Sequence, residues 1–185
     1  NKCAWLKATG DASVLTNVAV LHAGNKPLDG ALGERVLSLE TEGQTLTRAL
    51  ATAQNFSVSD VYVDTLIKFT PSEDTPTIAE DVKAAVFVNV NSNLVVYHGG
   101  TALASTDVGQ HIEPSQWYRL TILMSKLGEI GNGGETVFKV YIDGVAITSD
   151  AAFDDNLEQT GTKYWFKVAN GATTLSSVAF QGTGM

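Results

Sequence analysis

A single cysteine, Cys3, in 185 residues rules out an internal disulfide, so packing alone must hold the chain. That thiol is untethered, paired with another chain, or the remnant of a longer protein. Positive charge is also scarce: 12 Lys and Arg face 20 Asp and Glu, the formal net charge is -8, and basic residues stand singly along the chain. Phosphate backbones are held by clustered cations that release counterions, so no nucleic-acid partner is expected, and an anionic membrane surface is disfavoured for the same reason. Apolar runs extend only a few residues, far short of the roughly 20 that a spanning helix needs, so no membrane insertion is expected. The chain opens at Asn1 without the charged start and apolar core of a signal peptide, an absence that a mature or excised fragment would share.

Helical patterning is missing as well, since no apolar stripe at helical spacing persists for three turns. Period-two alternation takes its place in residues 60–69, 117–122, 137–147 and 163–168. In the first of these, Val61, Val63, Thr65, Ile67 and Phe69 share one face and predict a core side, while Tyr62, Asp64, Leu66 and Lys68 share the other. Residues 84–90 and 94–98 flank Asn91, Ser92 and Asn93 as the arms of a hairpin, and Asp143-Gly144 has the chemistry of a tight hairpin turn. Residues 35–39 and 45–50 predict shorter strands, residues 25–30 a turn, residues 70–81 a loop, and residues 127–135, with four glycines, an exposed link. Residues 175–180 are expected to close the sheet. The expectation is one all-β domain over residues 1–185, an antiparallel two-sheet β-sandwich of jelly-roll type, with residues 1–34 its least defined part.

Catalytic signatures are absent from the sequence. A sandwich glucanase would carry Glu-x-Asp-x-x-Glu on one strand to place carboxylates at the sugar bond, and Asp64 has no nearby strand carboxylate as partner. There is no Gly-x-Ser-x-Gly elbow and no phosphate loop, and His22, His98 and His111 lack metal-ligand spacing. The chain is therefore expected not to be an enzyme. Its loop acids, at positions 73–81 and at Asp150, Asp154, Asp155 and Glu158, with Asp64 and Asp143, read either as solvated carboxylates or as donors for a structural calcium ion. No twelve-residue loop spacing assigns the ligands of such a site.

Aromatic residues on the strands are the remaining chemistry. A pyranose ring stacks on an aromatic face while polar groups meet its hydroxyls, so glycan or polysaccharide is the expected ligand. The candidate ligand-binding residues are Tyr62, Lys68, Phe87, Asn89, Tyr97, Tyr141 and Trp165, with Tyr118 and Lys139 in the same row; Trp117, on the other phase, is assigned to the core. They share a surface only if the strands pair in suitable register, and a row of cross-strand supports would look the same in sequence. Asn55-Phe56-Ser57 fits an N-glycosylation acceptor.

Residues 117–120 (Trp-Tyr-Arg-Leu), 138–144 (Phe-Lys-Val-Tyr-Ile-Asp-Gly) and 175–184, taken with the strand at 61–69, give the chain a likeness over residues 35–184. The pattern resembles the concanavalin A-like, laminin-G-like jelly-roll superfamily in its bacterial non-catalytic type. Members bind glycans, mediate adhesion, cap surface proteins or hydrolyse polysaccharides; the hydrolases' acid pattern is absent here. The resemblance implies a lectin-like, non-catalytic carbohydrate-binding module at an extracellular or cell-surface location, which low charge and abundant Thr, Ser, Gly and Asn also favour. The alternative it leaves is a structural or adhesive surface module that associates with proteins or self-assembles through sheet edges. It further implies a strand beyond residues 182–184, hence an excised module or a strand supplied from elsewhere.

Overall fold

Branched and aromatic residues at every second position become strands because a pleated backbone sends them all to one side. The computed structural model describes residues 6–9, 13–16, 35–39, 42, 44–72, 75–99, 104–114, 116–127, 134–150, 152 and 162–182. In chain order these form β1 (Leu6–Thr9), β2 (Ser13–Thr16), β3 (Arg35–Ser38), β4 (Thr45–Asn55), β5 (Val61–Ile67), β6 (Ala85–Val88), β7 (Asn93–His98), β8 (Ala104–His111), β9 (Tyr118–Lys126), β10 (Thr136–Ile142), β11 (Val145–Ala146), β12 (Phe166–Lys167) and β13 (Thr174–Gln181). A three-residue 3-10 turn, Ala169–Gly171, is the helical piece among them, and no described helix is long and apolar enough to cross a membrane. Cys3, the turn at 25–30 and the glycines between 128 and 133 lie outside the described residues.

All strand pairs among the described residues are antiparallel. Among the described residues they build a five-stranded sheet in the order β11-β10-β9-β5, with β12 also on β10, a three-stranded sheet β6-β7-β8, a second three-stranded sheet β1-β4-β13, and the pair β2-β3. This is an all-β fold of several antiparallel sheets, in keeping with a general β-sandwich. One apolar cluster joins two of the sheets: Leu120 and Met124 of β9, Phe138, Val140 and Ile142 of β10 and Phe166 of β12 bury against Val88 of β6 and Leu94 and Val96 of β7. Register explains the set, since Val61, Met124, Phe138 and Phe166 stand in line across four strands. Burying one such large side chain contributes roughly 1.5–3 kcal/mol. Val61, Ile67 and Phe69 turn to this cluster as their alternation predicts.

The two sheets meet at Gly99. Its N–H donates to the carbonyl of Lys167 at 2.8 Å, bridging the end of β7 to β12. Beside it, His98 is buried, with Nδ1 3.0 Å from the Gly99 carbonyl and Nε2 2.9 Å from the Thr106 hydroxyl. A carbonyl only accepts, so Nδ1 carries a proton. The Asp143-Gly144 turn forms as expected, both residues at positive φ (51° and 82°), the hairpin geometry that glycine favours.

Several expectations change. Tyr118, assigned to the outer face, packs on the core, and Trp117, assigned to the core, is half-buried outside that cluster, because β9 pairs Tyr118 with core-facing Ile67. Residues 45–50 extend to the eleven-residue β4. The polar passage after residue 100 contains a strand, β8, paired with β7, in which Ala104, Thr106 and Val108 alternate as the half-buried positions with exposed Ser105, Asp107 and Gly109. The segment 175–180 pairs with β4, so it belongs to a different sheet from β9 and β10. Only Phe166–Lys167 of segment 163–168 forms a strand.

Candidate functional site

Because β5, β9 and β10 pair in register, their outward side chains form rows across the five-stranded sheet. Tyr62, Leu123 and Lys139 make one row, and Asp64, Thr121 and Tyr141 the next. Leu123, Val137 and Trp165 bury into a small apolar cluster on this face, with Tyr141 and Leu127 packed at its margin. Of the seven predicted site residues, the structure gathers Tyr62, Tyr141 and Trp165 here.

Their exposures differ, and that decides what each can do. Tyr62 is 62% exposed and offers an open ring face. Trp165 is 6% exposed, with the Lys139 ammonium 4.2 Å from its ring centroid. Its indole is thus a floor beneath a lysine and not an open platform, and its Nε1 is buried without a hydrogen-bond partner. Lys139 also lies 5.4 Å from the Tyr164 ring centroid. Burial, and secondarily the neighbouring Tyr62, raise the Tyr141 phenol above its ordinary value of 10.0.

Beside Tyr141, and extending away from Tyr62, runs a polar clamp. Arg119 Nε donates to both oxygens of Asp64 at 2.9 and 3.0 Å, Nη2 donates to Oδ2, and the Thr121 hydroxyl donates to Oδ1 at 3.1 Å. The Arg119 hydrogen bonds outweigh desolvation and hold Asp64 below the usual carboxylate value. Asp60 accepts from the Ser125 hydroxyl at 2.6 Å. Sequence reasoning missed Arg119 and Thr121, although the apolar parity of Leu120, Ile122 and Met124 puts both on the opposite face.

The other four predicted residues lie elsewhere. Phe87 and Tyr97 belong to the three-stranded sheet, where Phe87 pairs with buried Val95 and is itself only 9% exposed, a supporting side chain more than a contact surface. Tyr97 is half-buried, opposite Ala85 and Ser105. Asn89 is consumed by its turn: Oδ1 accepts from the N–H of Asn91 and of Asn93, both at 3.0 Å, and Nδ2 donates to Asp107 at 2.8 Å. Lys68 is exposed just past the end of β5.

A cleft of about 260 Å³ lies apart from all seven, lined by Val108, Gly109 and Gln110 and by residues 145–148. It falls short of the roughly 300–1,000 Å³ of small-molecule pockets. Among the described residues, no group of three or more His, Cys, Asp or Glu is placed to hold a metal ion. Glu73, Asp74, Asp154, Asp155 and Glu158, part of the expected calcium donors, lie outside the described residues. No family model, no curated protein and no solved structure matches this chain.

Proposed function

We propose that this chain is a non-catalytic, extracellular carbohydrate-binding module of the jelly-roll sandwich type, docking glycan on the outer face of its five-stranded sheet. The observation that carries the reading is the exposed Tyr62 ring beside half-buried Tyr141, with Asp64, Arg119, Thr121 and Lys139 around them. A sugar needs such a pairing of flat apolar surface and hydroxyl partners, and a sheet face suits an extended polymer better than a closed pocket. The carboxylates favour binding over hydrolysis. Asp64 is held ionised by Arg119, whereas a general acid for glycoside cleavage must keep its proton near neutral pH.

The test is binding to a panel of immobilised soluble and insoluble polysaccharides by wild type and Tyr62→Ala, with circular dichroism to verify folding. Removing one stacking ring should weaken binding about tenfold, the equivalent of ~1.4 kcal/mol, with thermal stability unchanged. Wild-type protein that binds no polysaccharide, or a Tyr62→Ala variant that binds as tightly as wild type, overturns the reading. Trp165→Ala is a poor probe, because it empties the cluster beneath the face.

A further inference from the structure

Asn55-Phe56-Ser57 is the only Asn-x-Ser/Thr triplet in the 185 residues, and the docking face makes no use of it. That triplet is the acceptor pattern for sugars linked to the asparagine nitrogen, a bulky and strongly hydrated addition that only a surface position can carry. Asn55 is the last residue of β4, paired with Thr174 of β13, and the chain turns directly after it. The turn is anchored from within: Phe56 is 1% exposed in the core cluster, and its N–H donates to the Thr173 carbonyl at 2.9 Å. Asn55 itself is exposed, as are residues 51–54 before it and 58–60 after it.

The two groups that define the triplet stand side by side at this turn. Oδ1 of Asn55 accepts from the Ser57 N–H at 2.9 Å and from the Ser57 hydroxyl at 2.7 Å. A backbone N–H only donates, so the atom it meets is the carboxamide oxygen, and the carboxamide nitrogen points the other way. Among the described residues Nδ2 of Asn55 has no acceptor. Asn89 and Asn93 are the contrast, since each spends its Nδ2 on Asp107, at 2.8 and 3.1 Å. The nitrogen that a sugar would take is therefore the free one, on an exposed residue held in place by a buried neighbour.

We infer that Asn55 is an attachment site for an N-linked glycan, added by a glycosyltransferase that uses the carboxamide nitrogen as nucleophile. Nδ2 attacks C1 of a sugar diphosphate; the N–C1 bond forms as the C1–O bond breaks, the diphosphate leaves with the bonding pair, and a base of the transferase takes one Nδ2 proton. Nothing is oxidised or reduced. The donor is a sugar diphosphate carried on a lipid or on a nucleotide, and the bond broken is the same in both. Because β4 belongs to a different sheet from Tyr62 and Lys139, the inference stands apart from the docking face.

Two arms test it, one for each carrier. In the first, the whole chain is secreted from cultured eukaryotic cells behind a cleavable leader, where the donor is lipid-linked; in the second, the purified folded protein is incubated with a soluble asparagine glucosyltransferase and UDP-glucose. Mass spectrometry of the tryptic peptide of residues 49–68 should find Asn55 carrying an oligosaccharide in the first arm or a single hexose in the second, and either result supports the inference and names the carrier. Asn55→Gln should lose the modification, Ser57→Ala should lose most of it, and Ser57→Thr, which keeps the hydroxyl, should retain it, with the folding of each variant verified by circular dichroism. The wild-type result needs no variant to fold. An unmodified Asn55 in both arms, or a Ser57→Ala variant as fully modified as the wild type, overturns the inference.

Discussion

Replacing Gly99 with alanine should destabilise the fold by about 3 kcal/mol, and the structure gives the reason atom by atom. A Cβ at this position would stand 2.6 Å from the Val168 carbonyl oxygen, 2.8 Å from the Ala169 Cα and 2.9 Å from the Val168 carbonyl carbon. All three are backbone atoms, so no side chain can rotate away. The segment they belong to is pinned as well: Lys167 accepts from Gly99, the Val168 N–H donates to Thr136 at 2.9 Å, and the Ala169 N–H donates to Lys83 at 2.8 Å. Overpacking in a tight site costs roughly 1–3 kcal/mol, and relieving it by moving the segment forfeits at least one hydrogen bond, about 1 kcal/mol more. That total is a large part of the 5–15 kcal/mol typical of a domain's stability. Urea unfolding followed by tryptophan fluorescence should give a lower midpoint with an unchanged slope. Gly144→Ala is the comparison: its φ of 82° disfavours a side chain, but nothing lies within 4 Å of the added carbon. Loss of less than about 0.5 kcal/mol in Gly99→Ala, the range of ordinary surface changes, would refute the idea that this contact locks the two sheets together.

Two further outcomes test the roles assigned to polar residues. Asn89→Ala should lower stability by about 1 kcal/mol, because two hydrogen bonds of the β6–β7 turn and one to Asp107 of β8 are lost, while leaving polysaccharide binding intact; unchanged stability with lost binding would return Asn89 to the ligand site. Asp64 and Asp107 both titrate below the ordinary aspartate value of 3.8, the first mainly through Arg119 and the second mainly through the Gly109 N–H. Their folded forms favour the ionised state, so their contribution is complete above 3.8 and disappears as pH falls through the lowered values. Midpoints of urea unfolding measured from pH 6 downward should hold steady and then drop below pH 3.8, with a shallower drop in Asp64→Asn. An equal drop in the variant would remove Asp64 from the account.

Alternation made several features readable in advance. Val61, Ile67 and Phe69 turn to the core cluster and Tyr62 away from it, Val140 and Phe166 are fully buried, and the turns at Asp143-Gly144 and after Asn89 form where the sequence puts them. Each rests on a local rule, either the two-residue period of a strand or the tolerance of Gly, Asn and Asp for positive φ. The site was legible only in part. Trp165 and Phe87 lie on the face opposite the core, yet both are buried, because an outward strand position can still be covered by neighbours that sequence does not name. Residues 117–122 were misphased by one, since Trp117 and Tyr118 are both large and aromatic, whereas the parity of Leu120, Ile122 and Met124 and the pairing of Tyr118 with core-facing Ile67 both select Tyr118 for the core.

From the sequence alone came the class of fold and the parity of most strands, because composition and short-range periodicity need no knowledge of distant contacts. Which strands share a sheet was decided only by tertiary structure. It set Tyr62 and Tyr141 on one surface and Tyr97 on another sheet, laid Lys139 over Trp165, pressed Gly99 against Val168, and placed β13 beside β4. Pairing joins residues tens of positions apart through backbone groups that every residue shares, so side-chain identity carries little record of the partner.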